Sequence, residues 1–256
     1  MDSDDFYDRL APDYHLIATD WDEAVRRQGA ILDELLSERP GEGALRVLDC
    51  SCGIGTQSIG LAMQGHDVFG IDPSVESIER ARREAERLVG KEDGPEFRVG
   101  DMRELADVDG PFDVVLSMDN AVAHLHGEDD LRRTVYAIKR VLGPEGAVLV
   151  GVRDYDALRE ERPRGTVPRR IKDEHGERIY VQTWEWSEDG RGYDMELFLL
   201  SSDDSGWETE SADVRMRAYG RDELETAFRG GDFGALESLE PEDTGFYQPI
   251  LVARRA

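Results

Sequence analysis

The chain has 256 residues, of which 39% are hydrophobic, enough to form the core of a sizeable α/β domain. It carries 57 acidic residues against 31 basic ones, a net charge of −26. A surface of that sign repels nucleic acids and anionic membranes, so neither is expected as a partner. No apolar run approaches the roughly 18 residues of a membrane span, and the acidic start is unlike a signal peptide. A cytoplasmic protein is therefore expected.

The acidic residues are spread along the chain, as in "DSDD", "GEDD" and "SSDDSGWETESAD". Such dispersal is typical of halophilic proteins, because concentrated salt screens the repulsion between like charges. An ordinary acidic protein is the alternative interpretation.

The first two thirds of the chain alternate between the helical and the strand period. Residues 21–36 place apolar side chains on one helical face. Predicted strands then follow at "RVLD", "DVFGID", "FRVGD", "FDVVLSM" and "GAVLVGV", with helices at "TQSIGLAMQG", "SVESIERARREAERLVG" and "DDLRRTVYAIKRVLG" between them. This alternation predicts an α/β fold, a doubly wound and mostly parallel Rossmann-like sheet whose ligand lies beyond the carboxyl ends of the strands.

Beyond residue 155 the pattern changes to consecutive strands joined by turns. Three are predicted, at residues 178–187, 193–202 and 211–219, and they form an antiparallel β lobe. A helix at 220–231 and a closing strand at 246–256 follow, and residues 159–165, "REERPRG", are interpreted as a mobile connector. The last part of the chain is expected to decorate the parallel sheet instead of folding independently.

A glycine-rich loop, "VLDCSCGIGTQSIGL", connects the first predicted strand to its helix. It differs from a dinucleotide fingerprint because Ser58 stands where a third Gly or Ala is required, and no Gly-Lys-Ser/Thr sequence of a Walker loop follows. Asp49, at the mouth of the loop, would repel a pyrophosphate. A carboxylate there suits a ligand with positive charge and no phosphate, and S-adenosylmethionine has both properties.

Three acids follow consecutive strands, and with the loop they resemble the motifs of the class I S-adenosylmethionine-dependent methyltransferases. "VLDCSCGIG" resembles the first motif, "GID" the second and "VGDM" the third. The resemblance implies that Asp72 takes both ribose hydroxyls and that Asp101 meets the adenine amino group. The full set of cofactor contacts implied in this way is Asp49, Cys50, Gly53, Gly55, Asp72, Pro73, Asp101, Met102 and Met118.

A narrower resemblance is to the glycine and sarcosine N-methyltransferases. "MDNAVAHL" and "GVRDYDAL" lie after the fourth and fifth strands, at the places of the matching sequences in those enzymes, and the start of the chain resembles their N-terminal lid. The resemblance implies that Asn120 and Arg153 hold an amino acid substrate. Tyr7, Tyr14 and Tyr155 are expected to line the pocket, because tyrosine rings and hydroxyls stabilise a passing cation. The expected organisation is a helical lid over residues 1–40, a cofactor-binding core over 41–155, and the antiparallel lobe with closing elements over 156–256.

Other interpretations of these residues stay open at this point. The alternative interpretation of Asn120 is a helix cap, and that of Arg153 is an ion-pair partner of Asp154 or Asp156. His124 and His126 lack a third ligand nearby, so packing or surface roles are favoured and no metal site is expected. Trp184 and Trp186 are typical of one face of a half-buried strand.

The predicted activity is methyl transfer from S-adenosylmethionine to a small-molecule amine, with glycine or sarcosine as the first choice and a compatible solute as the product. The alternatives are a methyltransferase for another small metabolite, at nitrogen or oxygen, and a domain that binds the cofactor without catalysis. The sequence leaves the oligomeric state open, a homo-oligomer included.

Overall fold

The architecture rests on one mixed sheet covered by helices on both faces. The structure is a computed structural model that describes residues 8, 11, 14–37, 43–173, 176–203 and 206–255. The seven strands of the main sheet lie in the order β10-β11-β5-β4-β1-β2-β3. Their bounds are β1 Arg46–Asp49, β2 Asp67–Asp72, β3 Glu96–Val99, β4 Phe112–Ser117, β5 Leu142–Gly151, β10 Phe233–Leu239 and β11 Ile250–Arg255.

Strands β1 to β5 pair in parallel, and β11 pairs antiparallel to β5 and to β10. The helices are α1 Trp21–Ser37, α2 Thr56–Met63, α3 Val75–Leu88, α4 Glu128–Val141, α5 Tyr155–Glu161, α6 Arg221–Gly230 and α7 Pro241–Thr244. Short 3₁₀-helices span Tyr14–Ile17 and Ala121–His124. None of the helices within the described ranges is long and apolar enough to cross a bilayer.

A second sheet is antiparallel, in the order β6-β7-β8-β9. Its strands are β6 Arg169–Asp173, β7 Gly176–Trp186, β8 Gly192–Asp203 and β9 Gly206–Arg217. Its inner face shares one apolar cluster with the main sheet, in which Trp184, Tyr193 and Met216 pack with Val150 and Val152. The two sheets are therefore joined by a continuous core.

The predicted mostly parallel sheet with an added antiparallel lobe is confirmed, with differences in its strands. The lobe has β6 as a fourth strand, which the sequence did not predict because Ile171 is its one apolar residue. Strand β10 was also missed, since most of its side chains are partly or fully exposed. The segment interpreted as a connector begins inside α5, which continues to Glu161.

Helices α1 and α2 approach each other unusually closely at two glycines. A Cβ built on Gly29 would lie 2.3 Å from the carbonyl carbon of Gly60, and one built on Gly60 would lie 2.5 Å from the carbonyl oxygen of Val25. Because the two backbones touch, side chains can bond across them: Trp21 Nε1 donates to Thr56 Oγ1 at 3.1 Å, and Gln57 Nε2 donates to Gln28 Oε1 at 2.7 Å. Helix α1 is thereby fixed to the helix that follows the glycine-rich loop.

We expect Gly60→Ala to lower the free energy of unfolding by about 1–3 kcal/mol, because backbone atoms must move to admit the methyl group. This loss outweighs the intrinsic helix preference for Ala. Gly230→Ala is the matched control, since its Cβ would meet no heavy atom within 4 Å. Denaturant unfolding should show a lower midpoint for Gly60→Ala only, and equal midpoints would contradict the close contact.

Candidate functional site

The glycine-rich loop forms the floor of a pocket at the carboxyl ends of β1 and β2. Gly53 and Gly55 adopt φ values of 51° and 91°, a left-handed conformation that favours glycine. A Cβ on Gly53 would meet no heavy atom within 4 Å, so this backbone faces open space. Cys52 N donates to Ile71 O at 2.9 Å, which ties the loop to β2.

Asp72 lies at the end of β2, where it holds the loop from the side. Its carboxylate accepts from Gly53 N at 2.9 Å and from Ser74 N at 3.0 Å. Ser74 also caps α3, since its hydroxyl accepts from Ser77 N. These two backbone donors fix the orientation of the Asp72 carboxylate at the pocket.

Of the nine residues predicted to contact the cofactor, the structure brings five to this pocket. These are Gly53, Asp72, Pro73, Met102 and Met118. Tyr14, predicted as a substrate residue, lines the same pocket. The predicted substrate-lining Tyr7 lies outside the described residues.

The other four lie behind the pocket wall or beside it. Asp49 is fully buried, and its carboxylate accepts from Ser58 Oγ at 2.7 Å. Cys50 is buried and donates its Sγ hydrogen to Leu116 O, while Gly55 supplies the turn that starts α2. Asp101 accepts hydrogen bonds from Arg103 on both carboxylate oxygens.

The pKa values of Asp49 and Asp101 are shifted in opposite directions. Burial raises the pKa of Asp49 to about 7, even though hydrogen bonds from Ser58 and Ser51 oppose the rise. For Asp101, burial also acts upward, but the hydrogen bonds and charge of Arg103 outweigh it and hold the pKa below its usual value. Asp101 is therefore ionised at neutral pH, whereas Asp49 is divided between its two forms.

A larger cavity of about 730 Å³ adjoins this pocket and reaches the antiparallel sheet. Three residues line both spaces: Tyr14, Thr56 and Asp119. We call the first space the loop pocket and the second the large cavity.

Arg153 follows β5 and points into the large cavity. Its Nη1 donates to Tyr193 Oη at 2.7 Å, its Nη2 donates to Gln182 Oε1 at 3.3 Å, and the guanidinium lies 4.8 Å from the centre of the Trp184 ring. No carboxylate among the described residues is within ion-pair distance of it. The ion-pair interpretation is wrong: Asp154 caps α5 through Ala157 N, and Asp156 accepts from Arg221 N.

Asn120 is buried and supports Arg153 from behind. Its Nδ2 donates to Tyr155 Oη at 2.9 Å and its Oδ1 accepts from the backbone N of Arg153 at 3.3 Å. The side chain makes no capping bond to the following 3₁₀-helix, so the interpretation as a side-chain cap is wrong. Asn120 lines the large cavity together with Arg153.

The sequence did not single out Asp119, Gln57 or Tyr247. Asp119 is partly buried, accepting from Gln57 Nε2 at 2.9 Å on one oxygen and from Tyr247 Oη on the other. Its position two residues after β4 is a usable sign, because Asp72 and Asp101 are candidates on the same ground. Tyr247, 128 positions away, gave no such sign.

Alternate residues of β7 form the wall of the large cavity against which Arg153 packs. Tyr180, Gln182 and Trp184 lie on one face, and both Gln182 and Tyr180 line the cavity. Trp184 and Trp186 each pack 4.9 Å from the ring centre of Tyr193, as expected for one side of a half-buried strand. The period of two in "YVQTW" could have identified this wall.

His124 lies at the edge of the loop pocket as a neutral imidazole. Burial, with the charges of His126 and Arg153, lowers its pKa to about 4. Within the described ranges, no group of three or more His, Cys, Asp or Glu side chains is placed to hold a metal.

Residues 47–146 match the family described as "Methyltransferase domain". The glycine/sarcosine N-methyltransferases of Halorhodospira halochloris and Aphanothece halophytica are each 32% identical, over 142 and 148 residues, covering 54% and 55% of this chain and 50% and 54% of those proteins. The chain thus spans about half the length of the curated relatives it matches.

A solved structure gives a likeness over more of the chain. The S-adenosylmethionine-bound amino pentose methyltransferase from Micromonospora echinaspora superposes with a TM-score of 0.74 at 25% identity. The match covers 91% of this chain and 92% of that one, so it includes the antiparallel sheet as well as the matched family domain.

We expect Asp49→Asn to change how stability depends on pH. A folded-state pKa of about 7, above the unfolded value of about 3.9, gives a contribution that is complete below about pH 4 and is lost as the pH rises through 7. Asn has no charge and loses nothing over that range. From pH 5 to pH 8, Asp49→Asn should therefore gain about 2–3 kcal/mol of unfolding free energy relative to the unmutated protein.

Denaturant unfolding at the two pH values measures this difference. The exposed Asp67 offers the matched control, and Asp67→Asn should leave the pH dependence as it is. A parallel shift of Asp49→Asn at both pH values would mean that Asp49 does not titrate in this range.

Proposed function

Because this chain belongs to the class I S-adenosylmethionine-dependent methyltransferases, we propose that it transfers a methyl group to the amine of a small carboxylate-bearing molecule. Glycine and sarcosine are the first acceptors to test. The observation that carries the proposal is Arg153, a cation in the large cavity that lacks a carboxylate partner among the described residues and lies next to the loop pocket.

The loop pocket fits the cofactor in two respects. The open backbone at Gly53 gives a ligand access to the main chain, which a side chain at that position would obstruct. The carboxylate of Asp72 is held at the mouth of the pocket by backbone donors, so it can accept hydrogen bonds from a ribose. S-adenosylmethionine supplies a methyl group already activated by the positive sulfur.

We assign the cofactor contacts to Gly53, Asp72, Pro73, Met102 and Met118, which line the loop pocket. Asp49 acts on the loop from below, through Ser58 and Ser51. The expected contact between Asp101 and an adenine amino group stays a prediction, and it requires that the carboxylate be shared with Arg103.

The large cavity is the proposed acceptor site. Arg153 presents its guanidinium with two nitrogen atoms already oriented by Tyr193 and Gln182, which restricts the side chain before an acceptor binds. A carboxylate bound there would be held at a fixed distance from the boundary with the loop pocket. Methyl transfer is an in-line displacement, so such positioning is the main requirement on the protein.

Asn120 and Tyr14 contribute in different ways. Asn120 bonds to the backbone of Arg153 and to the hydroxyl of Tyr155, and it lines the large cavity. Tyr14 lines both spaces, where its ring can stabilise a passing cation.

A larger amine is the second candidate acceptor. The cavity of about 730 Å³ is within the range for drug-sized ligands. The Micromonospora relative is named as an amino pentose methyltransferase, so an amino sugar belongs in the same test. Incubation with labelled cofactor and a panel of glycine, sarcosine, amino sugars and simple alcohols selects among them, and transfer to none would favour cofactor binding without catalysis.

We expect Asp72→Ala to weaken binding of S-adenosylmethionine by well over tenfold, because hydrogen bonds to a charged group contribute about 1.5–3 kcal/mol each. Asp72→Asn should weaken binding less, since the amide oxygen still accepts. Calorimetric titration measures both. Equal affinities for Asp72→Ala and the unmutated protein would exclude this cofactor site.

We expect Arg153→Ala to lower kcat/KM for glycine or sarcosine at least about tenfold, since losing a charged partner typically costs about 2–5 kcal/mol. Affinity for S-adenosylmethionine should stay within about a factor of three, because Arg153 does not line the loop pocket. Arg153→Lys should recover only part of the activity, because lysine lacks the planar fork.

The exposed Arg132 provides the matched control, and Arg132→Ala should alter neither quantity. If kcat/KM and the affinity for S-adenosylmethionine both fall in Arg153→Ala, Arg153 is a structural residue. No change in either would remove the carboxylate from the proposed acceptor.

A further inference from the structure

Asp119 is the one carboxylate among the residues that line both the loop pocket and the large cavity. The other two residues shared by these spaces are Tyr14 and Thr56. Thr56 Oγ1 accepts from Trp21 Nε1, so that hydroxyl is already engaged. The boundary between the two spaces is where an acceptor nitrogen must lie if the methyl group is to pass in line from one to the other.

From this geometry we propose that Asp119 accepts the proton which the acceptor amine must lose before it is methylated. The inference rests on the proposed function, since it concerns the same cavity and the same acceptor. At neutral pH an aliphatic amine is mostly protonated and has no lone pair for attack. A carboxylate at the boundary can take that proton. The other carboxylates of the site each line one space only, Asp72 the loop pocket and Asp20 and Glu23 the large cavity.

The protonated amine gives one proton to a carboxylate oxygen of Asp119 and becomes neutral. Its nitrogen lone pair then forms the new bond to the methyl carbon while the carbon–sulfur bond breaks, and the pair of that bond stays on sulfur, leaving a neutral thioether. The methylated amine carries the positive charge, and Asp119 returns its proton to solvent through the large cavity.

Neighbouring side chains keep Asp119 in position for this role. Gln57 Nε2 donates to one carboxylate oxygen at 2.9 Å and Tyr247 Oη donates to the other. Gln57 is in turn held by Gln28 of α1. Both donors favour the ionised carboxylate, but burial acts in the opposite direction and is stronger, so the Asp119 pKa is raised above its usual value. A raised pKa brings a carboxylate closer to the strength needed to take a proton from an amine.

Other titratable groups surround Asp119 from each packed element. They are Asp49 at the end of β1, Tyr14 in the first 3₁₀-helix, His124 in the second, Arg153 after β5 and Tyr247 before β11. His124 is neutral above about pH 4 and Arg153 is charged throughout, so neither changes its charge between pH 5 and pH 9. Asp49 does titrate near pH 7, and the Asp49→Asn variant removes that transition from the background.

The test is the pH dependence of kcat/KM for Asp119→Asn, with the amine that the acceptor panel selects. At pH 7 the variant should be at least about 100-fold slower, the lower end of the usual contribution of a general base. It should then gain about tenfold per pH unit up to the pKa of the free amine, because it depends on neutral amine from solution. The unmutated protein should be nearly flat over the same range.

Two further variants sharpen the result. Tyr247→Phe removes one donor to the carboxylate, which raises the pKa of Asp119, so the acid limb of the profile should move to higher pH. A carbon NMR titration of the Asp119 carboxyl in cofactor-free protein should show the same upward shift. Asp129→Asn, at an exposed position on α4, is the matched control and should leave the profile unchanged.

The outcomes are distinct. Asp119→Asn with a flat profile and undiminished rate would overturn the inference while leaving the proposed function intact. A slower variant whose deficit is the same at every pH, or whose melting temperature and affinity for S-adenosylmethionine fall with its rate, would make Asp119 structural. An unmutated protein that methylates no amine would overturn the proposed function itself.

Discussion

The close contact of Gly29 with Gly60 sets the distance between α1 and α2, and the site depends on that distance. Ordinary helix pairs lie 8–10 Å apart, with side chains filling the space between their axes. Here each glycine admits the backbone of the other helix, and Trp21 and Gln28 can bond directly to Thr56 and Gln57. Any larger residue at either glycine would separate the helices and lengthen both bonds.

This contact connects α1 to the carboxyl edge of the parallel sheet. Gln57 is bonded on one side to Gln28 and on the other to Asp119, so α1, α2 and the end of β4 are linked by a single amide. Tyr247 extends the link to the segment before β11. Four elements thus share one polar network, which is buried at Gln28 and Gln57 and becomes exposed at Tyr247.

The antiparallel sheet completes the site by facing the same edge. Its contribution is a wall of alternating side chains on β7 and a hydroxyl from Tyr193 on β8, which together hold the guanidinium of Arg153. Because the sheet shares its apolar cluster with β5, the wall cannot move without disturbing the main core. The large cavity is therefore a space between two parts of one packed unit.

The sequence predicted the parallel sheet because most of its parallel strands are short apolar runs followed by a helix; β3 is the exception, with one buried residue and no helix before β4. Asp72 was identifiable for a local reason: it ends a strand and follows a glycine loop. Prediction stopped where a contact is long-range. The sequence around Asp119 does not predict its bond to Tyr247. The sequence around Arg153 likewise does not predict its bonds to Gln182 and Tyr193.

Local context also misled in places. Asp101 accepts hydrogen bonds from Arg103, two residues away. Its position at a strand end is therefore not enough to make it a ligand-binding residue. Asp49 was expected at the mouth of the loop, but the chain turns over it and buries it beneath Ser58. Strands β6 and β10 lie at sheet edges, where charged side chains are common because they hinder pairing with another chain, and such strands lack a clear apolar pattern.

Asp119 and Asn120 both adopt positive φ, at 54° and 69°. Only asparagine, aspartate and glycine occupy this conformation at little cost, so the backbone restricts which residues can replace either one. The three nevertheless differ in chemistry. Aspartate is a base, asparagine is a neutral donor and acceptor, and glycine has no side chain. During divergence of related proteins, the chain at this point can therefore exchange its reactive group while the turn itself is inherited unchanged.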